Sequence, residues 1–270
     1  MSTTPPVGLT IAGSDSGGGA GIAADLRTFA AHGVFGTLAV TAVTAQDTRR
    51  VRAVQAVSAE MVAAQIEAVC EDLSPKAAKT GMLASAEIVK TVTARAAGGA
   101  LPPLVIDPVL VASSGDPLFE GGDVQDAYRD LLSLSCVVTP NLFEASLLVG
   151  REIKDLPSME EAARELHGLG ARLVIVKGGH LKGKEAIDVA FDGRAVTLLR
   201  APWVETPNVH GTGCSFSAAI CAELALGREP LEAALRAKAY VHRAISLAAR
   251  WRLGAGHGPI DHLGAAGFEG

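Results

Sequence analysis

The chain has no surplus of positive charge. Its 24 Lys and Arg are outnumbered by 29 Asp and Glu, for a formal net charge of −5. Neither nucleic acid nor an acidic membrane surface is an expected partner, and any phosphate must be held by local amides and a few cations. The four cysteines, at 70, 136, 214 and 221, form no CxxC pair and no ligand spacing with histidine, which argues against a disulfide scaffold or a zinc site. No apolar run reaches the length of a membrane span. Residues 1–6 lack the charged and apolar regions of a signal peptide and read as a flexible leader; a cytoplasmic protein is expected. Also absent is the nucleotide loop G-x-x-x-x-G-K-[ST], and the glycine run at 17–21 lacks the third glycine of the dinucleotide fingerprint. With no low-complexity linker and no repeat, residues 1–270 read as a single domain.

What the chain does have is a 49% hydrophobic composition and thirty glycines, which suits a well-buried core with many tight turns. Short β-rich runs alternate with helical ones. Residues 7–12 form an apolar run ending in Gly13-Ser14-Asp15. A helix follows with Ile22, Leu26 and Phe29 on one face and Gly33 as its stop. Residues 37–44 are again β-rich and 51–57 alternate as a strand. Ser58 then caps a helix that buries Val62, Ile66, Val69 and Leu73. Further strands are read at 77–79, 104–106, 136–138 and 173–176, with helices through Ile88 and Val92, at 143–149 and at 158–169. Asp192-Gly193, between β-like runs, is a hairpin signal, and two helices follow, the last across 230–250. This alternation predicts an α/β fold, a three-layer α/β/α sandwich around a mostly parallel central sheet. Ligands of such sheets lie beyond the carboxyl ends of the strands. Residues 13–15, Gln46, 79–82, 107–109, Asn141 and 177–179 should therefore converge on one edge.

The segment Val209-His210-Gly211-Thr212-Gly213-Cys214-Ser215-Phe216 feeds a glycine-rich loop into a helix. The first amides of a helix have no intrahelical partner, and the helix dipole favours an anion there. Cys214 sits in that first turn, where a thiol loses its proton more readily. An ordinary loop-to-helix junction with a buried cysteine fits this stretch equally well. Lys177 leaves a strand beside Gly178 and Gly179 and could reach a phosphate. Asp107 and Glu144 could hold Mg²⁺, largely through water, although Glu144 also fits a plain helix N-terminal acid. Asp25, beside Leu26, has a solvated acid as its rival reading. His32, His167 and His242 read as structural or surface residues, and Cys70, Cys136 and Cys221 as core. A cradle, a lysine and several carboxylates point to phosphoryl transfer, which asks for positioning and charge neutralisation.

Several stretches together carry a family resemblance. They are Ala12-Gly13-Ser14-Asp15-Ser16-Gly17-Gly18-Gly19-Ala20-Gly21, Thr44-Ala45-Gln46-Asp47-Thr48, Lys79-Thr80-Gly81-Met82-Leu83, Asp107-Pro108-Val109 and Thr139-Pro140-Asn141. Lys177-Gly178-Gly179-His180, His210-Gly211-Thr212-Gly213-Cys214 and Gly256-His257-Gly258-Pro259 complete the set. Nearly end to end, the chain resembles the hydroxymethylpyrimidine/phosphomethylpyrimidine kinases of thiamine biosynthesis, in the ribokinase-like superfamily.

The resemblance implies an ATP- and Mg²⁺-dependent kinase acting on 4-amino-5-hydroxymethyl-2-methylpyrimidine and then on its monophosphate. It implies a pyrimidine lying over Gly13, Gln46, Met82 and Val109, with Asp25 also on the substrate side. It puts the ATP phosphates on Gly211, Thr212 and Gly213, aided by Lys177, with Asn141, Gly179 and Thr206 also on the nucleotide. The metal falls near Asp107 and Glu144. Cys214 occupies the position where most of the superfamily has an aspartate base. A homodimer is implied too. Arg50, Leu110 and Phe143 stand where Gly, Met and Pro are common, departures that touch pocket shape rather than reaction type. The alternative within the superfamily is a pyridoxal or hydroxyethylthiazole kinase. A reading of another class, a non-catalytic nucleotide- or vitamin-binding regulator, predicts loss of the cation or the cradle, and neither is lost. Residues 17–21 and Ser113-Ser114-Gly115-Asp116 read as loops that could close as lids.

Overall fold

The computed structural model describes residues 4–111, 118–119, 123–179 and 183–264. Strands β1 (Val7–Ala12), β2 (Phe35–Val40), β5 (Ala77–Thr80), β6 (Leu104–Ile106), β7 (Val137–Val138), β8 (Leu173–Val176), β9 (Glu185–Phe191) and β10 (Val196–Pro202) form one sheet. Its order is β10-β9-β8-β7-β6-β5-β1-β2. The strands from β2 through β1, β5, β6 and β7 to β8 run parallel, and β9 alone is reversed, pairing antiparallel with both β8 and β10. Strands covered on both faces need apolar residues throughout, and β6 and β8 are uninterrupted Leu, Val and Ile, buried at every position. The β9–β10 hairpin turns where the sequence signals it: Gly193 has φ +86°, and the Asp192 carboxylate accepts the N–H groups of Arg194 and Ala195.

Helices α2 (Ala59–Leu73), α3 (Ala86–Ala97), α4 (Val124–Ser133), α5 (Leu142–Val149) and α6 (Leu156–His167) cover one face of the sheet. The other face takes α1 (Gly21–Ala31), α7 (Thr212–Ala225) and α8 (Pro230–Ala248). The chain leaves β1 by way of α1 on one face and enters β5 by way of α2 on the other, so β1 and β5 flank a topological switch point, where a ligand crevice opens. Every residue of α7 from Ser215 to Glu223 is buried. A helix packed all round cannot slide, which fixes its N-terminus at the carboxyl edge of the sheet.

Two sequence expectations change, and one helix is added. Residues 37–44 are not one strand: β2 ends at Val40, and β3 (Ala42–Gln46) pairs instead with β4 (Val51–Ala56) in a separate two-stranded ribbon. The break falls at Thr41, whose N–H donates to the Ala12 carbonyl and whose hydroxyl donates to the Met82 carbonyl. These bonds turn the chain across the ends of β1 and β5. Leu73 is 41% exposed, because the last turn of α2 reaches solvent before a left-handed cap at Ser74. Helix α4 carries no expectation from the sequence; Asp123 caps it and Tyr128, Leu131 and Leu132 are its buried face. The loop Ser113-Ser114-Gly115-Asp116 lies outside the described residues, as does His180.

Candidate active site

The cradle is the N-terminus of α7. Its N-cap, Gly211, lies in the left-handed region (φ +82°, ψ 2°), and no side chain caps the helix. A Cβ at Gly211 would collide with the Gly19 carbonyl, so two stretches of bare backbone touch here. Among the described residues the N–H groups of Gly211, Gly213 and Cys214 have no hydrogen-bond partner. Thr212 departs from expectation: its N–H and its hydroxyl both donate to the Val209 carbonyl, at 3.2 and 2.6 Å. That tight turn consumes the one donor the sequence reading added to the glycines. A Cβ on Gly213 would stand 3.3 Å from Lys177 Nζ and 4.0 Å from Asp107 Oδ2, so the open donors face a cation and an acid.

Lys177 Nζ donates to Asp107 Oδ1 at 2.7 Å. Burial alone would lower the Lys177 pKa, but Asp107 and Glu144 outweigh it and hold the amine cationic. Asp107 is 1% exposed; the Thr139 hydroxyl donates to the same Oδ1 and the Ser217 hydroxyl to Oδ2. Glu144, 3% exposed, forms a capping box with Asn141, each side chain accepting the other's backbone N–H. The helix N-terminal acid reading therefore describes its geometry. Burial pushes the Glu144 pKa up to about 7, with Lys177 opposing and Asp107 adding to the rise. Among the described residues no group of three or more His, Cys, Asp or Glu side chains has metal-binding geometry. With their oxygens engaged inside the protein, Asp107 and Glu144 do not fit direct ligation of Mg²⁺; they fit an ion reached through its own waters.

Cys214 is half-buried, and its thiol runs against expectation. Burial pushes its pKa up to about 11; Lys79 and the Gly21 N–H pull the other way, and Asp25 and Asp107 add to the rise. Desolvation of the thiolate here outweighs the pull of the helix N-terminus. Nearby lies a pair the sequence did not announce. Lys79 and Asp25 are wholly buried, with Nζ 3.0 Å from each carboxylate oxygen, and the Thr10 hydroxyl donates to Asp25 at 2.6 Å. Asp25 is thus neither a solvated acid nor placed to touch a substrate, because both its oxygens are spent inside the protein. The available signal was Lys79 itself: a lysine in a wholly buried parallel strand needs a carboxylate partner.

At the same edge lies Gly13, expected on the pyrimidine, whose N–H donates to the Met82 carbonyl and whose missing Cβ would stand 3.0 Å from Met82 Sδ. The Gly13 carbonyl accepts from Ile22, in the first turn of α1. Ser14 binds Thr44, and the Ser16 hydroxyl bridges the N–H and carbonyl of Gln46, both at 2.8 Å. The Gln46 side-chain amide has no partner among the described residues, nor has the Asn141 amide nitrogen. Val109 follows β6 directly, its N–H on the Asp107 carbonyl. Gly179 is exposed with open space around it. The Thr206 hydroxyl is occupied, donating to Ala249 and accepting from Asn208.

Residues 17–20 do not hang free as a lid. The N–H groups of Gly17, Gly19 and Ala20 converge on the Asp15 carboxylate, which also accepts from His210 Nε2 at 2.8 Å. The tail braces the same region: His257, Ala255 and Gly256 donate to Thr48, and the Gly258 carbonyl accepts the His210 N–H.

The family model described as phosphomethylpyrimidine kinase matches residues 15–261. A hydroxymethylpyrimidine/phosphomethylpyrimidine kinase of Rhizobium meliloti (strain 1021) is 51% identical over 260 residues, 95% of this chain and 97% of that protein. The thiamine biosynthesis bifunctional protein ThiED of Geobacter sulfurreducens is 46% identical over 258 residues, 96% of this chain and 52% of that protein. Among solved structures, an ADP complex of Bacillus subtilis pyridoxal kinase superposes with a TM-score of 0.87 at 38% identity, covering 96% of this chain and 98% of that one.

Proposed function

The chain belongs to the phosphomethylpyrimidine kinase family, and from that premise we propose how its residues divide the work. It is a hydroxymethylpyrimidine/phosphomethylpyrimidine kinase of thiamine biosynthesis. It phosphorylates 4-amino-5-hydroxymethyl-2-methylpyrimidine, then the monophosphate. ATP is the phosphoryl donor. Its terminal phosphate rests on the N–H groups of Gly211, Gly213 and Cys214, with Lys177 supplying the nearest mobile positive charge. The acceptor ring lies over Gly13, between Met82 and Val109, with the free Gln46 amide on its aminopyrimidine edge. Asn141 and Gly179 border the nucleotide.

In the first transfer the acceptor oxygen attacks the terminal phosphorus as the bond to the bridging oxygen breaks and ADP departs. The hydroxyl proton passes to Cys214 in its thiolate form, which becomes the thiol and returns that proton to solvent before the next turnover. In the second transfer the attacking group is a phosphate oxygen, already anionic, so no proton need leave it. A Mg²⁺ ion accompanying ATP, held through water from Asp107 and Glu144, would neutralise phosphate charge. The protein works as a homodimer in the cytoplasm.

One observation carries this reading: unpartnered cradle amides, Lys177 and the Gly13–Met82 contact share the carboxyl edge of one sheet. The test is to incubate the purified protein with ATP and each acceptor alcohol, resolving mono- from diphosphorylated product. Both products are expected from the pyrimidine. Turnover of pyridoxal or hydroxyethylthiazole alone would favour the alternative alcohols, the former being the substrate class named by the Bacillus subtilis neighbour. No ATP consumption with any of them would leave a non-catalytic binder.

A further inference from the structure

The Asp15 carboxylate and the His210 ring meet at 2.8 Å with side chains 2% and 9% exposed. One oxygen of Asp15 gathers the N–H groups of Gly19 and Ala20 as well as His210, and the other takes Gly17. Burial works to raise the Asp15 pKa, but the His210 hydrogen bond and charge, with the Ala20 and Gly17 N–H groups, hold it below the usual carboxylate range. The stretch around Asp15 carries the acceptor side: Gly13 lies two residues earlier, and Ser14 and Ser16 fix Thr44 and Gln46. His210 directly precedes the cradle glycine Gly211. Behind the pair, a Cβ at Gly211 would collide with the Gly19 carbonyl, and a Cβ at Gly19 would collide with the His210 ring itself.

Resting on the kinase reading above, we propose that Asp15 and His210 are positioning residues that set the register of the acceptor site against the phosphate cradle. Neither residue is placed on a ligand; each acts through its neighbours, Gly13 and Gln46 on one side and Gly211 on the other. Apolar packing could close this seam at least as stably as a buried hydrogen-bonded pair of ionisable groups. What the pair adds is a fixed distance and direction between two loops that approach from opposite ends of the chain. In-line transfer needs that precision, since reacting atoms must sit about 3–3.5 Å apart and a displacement of about 1 Å costs on the order of 10²-fold in rate.

The test compares wild type with His210→Ala, His210→Gln, Asp15→Asn and the Asp15→Asn/His210→Ala double variant. It measures kcat and KM for ATP and both pyrimidine acceptors alongside thermal unfolding. His210→Ala should lower kcat about 10²-fold in both transfers while each KM stays within about threefold. His210→Gln, whose amide nitrogen can reach Asp15, should recover most of that loss. The double variant should fall no lower than the worse single one, because both changes break one link. Additive losses, a raised KM with kcat intact, or Gln no better than Ala would each overturn the proposal. Should His210→Ala not fold, Asp15→Asn carries the test alone: kcat should fall in both transfers with each KM within about threefold, and a raised KM with kcat intact would overturn the proposal. A wild-type protein inactive on every acceptor would instead refute the kinase reading, leaving the failures separable.

Discussion

Cys214 is the residue on which the two transfers should part company. With its thiol pushed up to about 11, little thiolate is present near neutrality. If that thiolate accepts the hydroxyl proton, kcat for the first transfer rises with pH toward that value, whereas the second, with an ionised nucleophile, stays flat. Cys214→Ala should lower the first transfer by ~10²–10⁴-fold, the usual worth of a general base, and the second by less. Equal losses, measured on each acceptor separately, would remove Cys214 from this role. Glu144 gives a second readout. Burial holds its folded pKa at about 7, above the ordinary carboxyl value of 4.5, so its contribution to stability is fully present below 4.5 and is lost as pH rises through 7. Denaturant unfolding should show Glu144→Gln removing a decline of about 1–3 kcal/mol over that window; an unchanged slope would contradict it. The gathering of Lys177, Gly13, Gln46 and Met82 at the carboxyl edge was legible because each lies at or just beyond a strand end. The Asp25–Lys79 pair was not, since no local pattern links positions 54 apart in sequence.

At the level of elements, the N-terminus of α7 separates folding from binding. Gly211→Ala places a Cβ in a left-handed conformation, about 1–2 kcal/mol of strain for an L-residue, and drives it into the Gly19 carbonyl. Loss of both stability and activity is expected. Gly213→Ala meets only the flexible end of Lys177, 3.3 Å away, so the thermal midpoint should hold while KM for ATP rises. The reverse pattern in melting and ATP titration would mean the cradle is misassigned. Strands β6 and β8 were readable from the sequence because burial on both faces leaves each an unbroken apolar run. The parting of β2 from β3 was not, because it depends on Thr41 bonding to Ala12 and Met82, partners remote in the chain. Helix α4 escaped notice for a related reason: its buried face is only Tyr128, Leu131 and Leu132.

Across the whole molecule, the β3–β4 ribbon stands apart from the main sheet. Every residue of β4 after Val51 is exposed, and Val43 and Val54 are 55% and 43% exposed. A ribbon bearing exposed valines offers an apolar surface for association, which supports the proposed homodimer. Light scattering should give the mass of two chains, and Val54→Lys should halve it; an unchanged mass would place the interface elsewhere.

The tail at 254–259 has a consequence for heat. It holds Thr48 on one side and His210 on the other through a handful of bonds, several of them solvent-facing. Contacts of that kind loosen well before a core melts. On gentle warming, turnover should therefore fade while circular dichroism still reports an intact sheet, and cooling should bring it back. The working temperature of the enzyme would then be capped by a short rim segment rather than by its interior.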